Sequence, residues 1–186
     1  MRTPKISRSV RPASRWSVAL AAVLAVAATL STSPAAQAAD STTCLGGSTI
    51  AYQPGITYTP RAVHYQETDT FSSCASTNPA VTSGTSSTGI DLPSASCLAA
   101  PLPVNEPAYT ITWNNAQQSV VDLTFTDLVV GGTEQVTGTG TVTSGLFQGG
   151  NATIVWLYPV LNPLQCATSE GVTTQTGTVT IQITSL

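Results

Sequence analysis

The chain is expected to be all-β: an antiparallel, immunoglobulin-like β-sandwich of about eight strands, placed after an N-terminal signal peptide. Three observations predict this. Beyond the first 38 residues, apolar side chains recur with period two in short runs bounded by Gly, Pro, Asn and Ser, the pattern of strands that bury one face. No stretch there keeps a helical period over about ten residues. All four cysteines lie in the same part of the chain, and an even count in an exported protein points to disulfides. A closed barrel is the second architecture that the same pattern allows.

The signal peptide is assigned to residues 1–38 and the folded domain to residues 39–186. Arg2, Lys5, Arg8, Arg11 and Arg15 form a basic start, an apolar run follows from Trp16 to Leu30, and Ala36-Gln37-Ala38 has the small-x-small form of a cleavage site. An apolar run of roughly 15 residues is short of the ~20 that a membrane-spanning helix needs. Ala39 stands where a lipid-anchored protein would need Cys. The expected location is therefore extracellular. Removing the signal leaves Arg61 as the one basic residue against nine acidic ones, a formal charge of −8. Such a surface repels phosphate backbones and anionic lipid, which argues against nucleic acid and membranes as partners.

The organising stretch is residues 109–130, YTITWNNAQQSVVDLTFTDLVV. Tyr109, Ile111 and Trp113 alternate with polar residues, residues 114–117 supply a turn, and Val121, Leu123 and Phe125 alternate on the return. This is a hairpin with one buried face. Before it, strands are expected over 48–52 and 62–71, with Pro54-Gly55 bending the chain between them. On the second strand Val63, Tyr65 and Phe71 share a face, and so do Glu67 and Asp69, which implies a face buried only at its ends or a bulged strand. Residues 74–80 read as a loop and 89–95 as a weak edge strand. Residues 98–107, with three prolines, read as a surface connection. After the hairpin, Gly131-Gly132 forms a turn and EQVTGTGTVT (134–143) places Val136, Gly138, Gly140 and Val142 inward, leaving room for Trp113 or Trp156. Residues 152–160 are apolar on both faces, as in a central strand covered on both sides. A loop over 162–171 and a last strand over 173–184 complete the chain.

If consecutive strands alternate in direction, Cys44 and Cys74 fall at one end of the sandwich and Cys97 and Cys166 at the other, which favours those two pairs. The segments YQPGITYTP (52–60), TWNN (112–115), TGTVTSGLFQGG (139–150) and LQCATSEGVT (164–173) resemble a group of small secreted actinobacterial proteins of uncharacterised function. The resemblance implies an exported β-sandwich and carries over no active site.

Chemistry-bearing motifs are few. His64 is the sole histidine, and neither a G-x-S-x-G elbow nor an H-E-x-x-H pair accompanies it. It reads as an exposed strand residue. Glu67 and Asp69 could approach a glycosidase-like separation, or join Asp122 or Asp127 around calcium, but solvated carboxylates are the plainer reading. Tyr52 and Tyr58, flanking the Pro-Gly bend, are the aromatics expected to face solvent and hence the candidate ligand contacts. No catalytic, cofactor-binding or metal-ligating residue is assigned, and no cofactor is expected. The expected function is that of a non-enzymatic extracellular binding or structural module of the envelope or matrix. Threonine-faced strands without lysine add an expectation of association through a sheet edge, with the wall, a glycan or a second copy. The alternatives are a glycan-binding module and a small-ligand carrier similar to the acidic apoproteins of actinomycete chromoprotein antibiotics, whose cysteines are more closely spaced.

Overall fold

The computed structural model describes residues 40–98 and 108–185. The expected signal segment, and all of the connection over 98–107 except Leu98, lie outside the described residues. Eight strands are formed: β1 Ser41–Ile56, β2 Arg61–Ser76, β3 Gly84–Ala95, β4 Tyr109–Trp113, β5 Gln118–Val130, β6 Thr133–Gly145, β7 Asn151–Pro159 and β8 Val172–Thr184. A short helix, α1 Pro163–Cys166, precedes β8; the Asn162 side chain caps it by accepting from the Leu164 N–H.

Each strand pairs antiparallel with the next, and β8 returns to pair with β1 from Ser41↔Thr184 to Ala51↔Thr174. The sheet closes into a barrel in sequential order. The all-β, antiparallel, eight-strand expectation stands, and the sandwich is corrected to a barrel. Period two separates the inner from the outer face but reads the same in either architecture. Whether the first and last strands meet is set by accumulated twist and coiling, which no local pattern records. One device of that coiling is the bulge at Leu45/Gly46. A Cβ on Gly46 would lie 2.0 Å from the Thr70 carbonyl oxygen, so only glycine permits the bend.

Strands β1 to β3 run longer than expected because the alternation continues through Thr and Ser that seemed loop-like. The 109–130 hairpin forms with its inside as expected: Tyr109, Ile111, Trp113 and Val121 are buried, and Ala116 supplies the left-handed turn residue at φ 64°. Gly131 and Gly132, at φ 60° and 83°, make the two-residue turn between β5 and β6. Gly138 leaves the space that Trp156 fills, as expected, whereas Trp113 lies against Gly84. The outer face of β7 is not covered: Leu157 is 40% exposed, because that face is the outside of the barrel.

Cys44 is bonded to Cys74 and Cys97 to Cys166, the pairs favoured from the sequence. The first pair forms because the two residues are register partners on neighbouring strands, not because strand ends gather. Bonds of this kind persist in oxidising compartments.

The barrel wall is uneven. Strand β3 pairs with β4 only over Gly84–Ser86, and β4 pairs with β5 only as far as Tyr109↔Val121. Among the described residues, 87–95 of β3 and 122–130 of β5 have no partner on the side where they face each other. Ile90, Leu92, Leu123 and Phe125, on the inner face along this stretch, are only partly buried. The opposite half is closed by Phe71, Ile111, Trp113, Val142, Ile181 and Ile183, all at most 2% exposed.

Candidate functional site

Inside the barrel, next to the stretch where the described parts of β3 and β5 are not paired with each other, lies a polar cluster built around Glu67 and Asp69. Val63, Tyr65 and Phe71 fix the register of β2 so that its odd-numbered residues point inward, and the two carboxylates cannot leave that face without exposing all three. Both are inside the barrel: Asp69 is 1% exposed and Glu67 partly buried. Their reading as solvated carboxylates is thereby corrected. The period-two signal that placed them on the apolar face was right; closure of the sheet made that face an interior.

Glu67 accepts hydrogen bonds from the Tyr65 hydroxyl at Oε2, and from Tyr158 (2.9 Å) and Ser48 (3.2 Å) at Oε1. The Ser48 and Tyr158 hydroxyls are themselves 2.6 Å apart. Asp69 accepts at Oδ2 from the Tyr109 hydroxyl (2.5 Å) and the Trp156 indole N–H (3.0 Å). Among the described residues its Oδ1 has no partner, and neither has the buried hydroxyl of Ser86, the residue directly opposite Asp69 in the β2–β3 register. Tyr52 is turned inward rather than to solvent, donating to Gln175 Oε1 at 3.2 Å, and its ring meets Tyr65 edge to face at 5.8 Å. Tyr109 and Trp156 make the same contact at 5.8 Å.

Burial, reinforced by the neighbouring charge of Asp69, pushes the Glu67 carboxyl up to about 7, against the donors that favour its ionised form. Burial likewise raises Asp69. The phenols of Tyr65, Tyr109 and Tyr158 are raised by burial and by the adjacent carboxylates. At neutral pH they are neutral donors. Glu134, on the inner face of β6, is raised by burial and by Asp127.

No positive side chain answers these carboxylates among the described residues. Arg61 is spent on the carbonyl oxygens of Gly55, Ser169 and Glu170, and His64 sits on the outer face, 2.8 Å from Asp91, as the sequence implied. Desolvating an unpaired carboxylate costs several kcal/mol, while each hydrogen bond to a charged acceptor returns about 1.5–3 kcal/mol. An apolar filling would be simpler, so the cluster marks a candidate site. It can receive a hydrogen-bond donor or a cation, and its Glu67 can exchange a proton near neutrality.

Of the residues singled out from the sequence, Tyr52 joins the interior near the cluster. Tyr58 stays 40% exposed and donates to the Pro163 carbonyl, in a shallow recess with Thr57, Arg61 and residues 166–169. Asp122 and Asp127 are exposed; no group of three acidic, His or Cys side chains able to hold a metal occurs among the described residues. Sequence reasoning missed Ser48, Ser86, Tyr109, Trp156 and Tyr158 as site residues, since each was read as core or not singled out. No protein family matches the chain, and no curated protein or solved structure matches it significantly.

Proposed function

We propose that this is a secreted, disulfide-locked barrel that holds a small molecule in the polar half of its interior. The reading belongs to the carrier class rather than to the wall-module or glycan-binding classes. The observation that carries it is the unpartnered pair Asp69 Oδ1 and Ser86 Oγ, buried within an aromatic enclosure under partly exposed Leu123 and Phe125. Buried polar atoms are rarely left without partners, and small-molecule sites combine apolar walls with a few convergent polar groups, often in barrel mouths. Both mature tryptophans lie inside, which leaves little for an outward sugar-stacking platform. Closure of β1 onto β8 removes the two terminal edges, which narrows strand addition to the stretches of β3 and β5 without a second described neighbour. Export is supported by the basic and apolar start with Ala36-Gln37-Ala38, together with the two disulfides.

The test is native mass spectrometry of the protein recovered from culture medium, with uptake of N-phenyl-1-naphthylamine followed by its fluorescence. A bound mass or bound probe is expected. Gly138→Leu, which crowds Leu123, Phe125 and Trp156, should abolish it, and circular dichroism checks that the variant keeps its strands. A protein that emerges empty and takes up no probe would overturn the reading. A second reading, proton transfer to the bound molecule, is favoured by one observation, the Glu67 carboxyl near 7. Recovery of the bound compound unchanged after long incubation separates holding from conversion.

A further inference from the structure

Resting on that reading, we infer that the occupant is a protonated organic amine, its ammonium group held between Asp69 Oδ1 and the Ser86 hydroxyl with the aromatic rings as walls. Four observations converge. First, the cluster is acidic from every side and contains no base: Tyr52 faces it from β1, Tyr65 and Asp69 flank Glu67 on β2, Tyr109 comes from β4, Glu134 from β6 and Tyr158 from β7. The neutral groups Ser86 on β3, Phe125 on β5 and Gln175 on β8 complete the ring.

Second, donors already cover Oε1 and Oε2 of Glu67 and Oδ2 of Asp69. Among the described residues, Asp69 Oδ1 is the one carboxylate oxygen of the pair left free. A single free oxygen beside a hydroxyl suits the directed N–H groups of an ammonium. It does not suit a metal ion that asks for six or more oxygens. Third, Trp156 stands in contact with both Tyr109 and Phe125, with centroids 5.8 and 6.0 Å apart; aromatic faces attract organic cations once water is displaced. Fourth, the folded part of the chain carries one arginine against nine acids, a field that gathers cations and excludes anions.

Binding is therefore linked to protons. An ammonium beside the pair favours ionised Glu67, so uptake expels a proton from Glu67 and affinity rises with pH for as long as the amine stays charged. The experiment is calorimetric titration of the disulfide-intact protein with benzylamine, benzyl alcohol, sodium benzoate and calcium chloride at pH 5.0 and 7.5. Benzylamine should bind at least tenfold tighter than benzyl alcohol at pH 7.5 and at least fivefold tighter there than at pH 5.0, with no heat from benzoate. Asp69→Asn should lose tenfold or more. Glu67→Gln should keep benzylamine binding but lose most of its pH dependence, and Ser86→Ala should weaken it. Preference for benzyl alcohol, or for calcium, would overturn the inference while leaving an occupied barrel. Absence of heat from all four ligands would also overturn it, and uptake of N-phenyl-1-naphthylamine would then decide separately whether the barrel holds any guest.

Discussion

The two halves of the barrel interior are built from the same alternating strands yet solve the burial of polar atoms in opposite ways. In the closed half the Trp113 indole donates to Ser119 at 2.8 Å, and Ser119 donates on to the Leu146 carbonyl at 2.6 Å. Phe147 closes on Trp113 edge to face at 5.8 Å, and among the described residues no buried polar side-chain atom there is left over. In the other half eight hydroxyl, indole and carboxylate groups meet, two of their atoms have no partner among the described residues, and the described parts of β3 and β5 above them are not paired with each other. The contrast teaches that the polar half is not a failure of packing. The fold can fill its interior, and does so ten or so ångströms away along the same strands, about three residues of rise.

The largest expected difference between the halves is in what an aromatic ring contributes to stability. Phe71 is fully buried in the closed half, whereas Phe125 is partly exposed in the polar half. Phe71→Ala should cost about 3–5 kcal/mol, the range for deleting a buried ring with little room for collapse. Phe125→Ala should cost about 1–2 kcal/mol, because part of that surface already meets water. Guanidinium unfolding followed by circular dichroism measures both. Equal costs would erase the distinction between a filled and a polar half.

The same contrast shows how far the residues could be read. Inward positions such as Ile111, Trp113, Val142 and Ile181 were legible, because period two is a local property of extended chain. Closure was not, since it depends on bulges such as Leu45/Gly46 and on twist summed over eight strands. The site was half legible: Glu67 and Asp69 stood on the apolar face in plain sight. What made them a site was the arrival of Ser48, Tyr109, Trp156 and Tyr158 from strands β1, β4 and β7, and no spacing along the chain encodes that convergence. Tyr52 was misplaced because the Pro54-Gly55 bend suggested exposure, while β1 in fact continues through it to Ile56.

Next in size is the response to pH, which separates the halves because all the buried carboxylates lie in one of them. The Glu67 carboxyl is raised to about 7 in the folded chain from an ordinary 4.5. The folded state therefore holds this proton more tightly than the unfolded state does. The stability it contributes is complete below about pH 4.5 and is lost as pH rises through 7, a change of at most about 3 kcal/mol; Asp69, also raised, acts with the same sign. Unfolding midpoints at pH 5 and pH 8 should show the wild type weaker at pH 8. Glu67→Gln should show a smaller difference between the two, with Asp69 keeping the rest, and be more stable than wild type at the higher value. A wild type that gains stability from pH 5 to pH 8 would mean that Glu67 is ionised at little cost, with a cation already beside it.

The smallest effect sharpens the comparison to single methyl groups. Gly84, in the closed half, would place a Cβ 2.8 Å from Cε3 of Trp113 and 3.3 Å from Cγ2 of Ile111. That ring is held by its bond to Ser119 and by Phe147, and cannot retreat, so Gly84→Ala should cost about 2 kcal/mol. Gly138, in the polar half, would place its Cβ 3.3 Å from each of Leu123, Phe125 and Trp156. Leu123 and Phe125 belong to the stretch of β5 that lacks a second neighbour among the described residues, and a few tenths of an ångström of movement there is cheap. Alanine also reduces the freedom of the unfolded chain, by about 0.4–1 kcal/mol in favour of folding. The two contributions nearly cancel, so Gly138→Ala should shift the thermal midpoint by little while Gly84→Ala lowers it by several degrees. If instead the two variants fell together, the aromatic enclosure around Trp156 would be as rigid as that around Trp113, and a guest could enter only by displacing packed side chains.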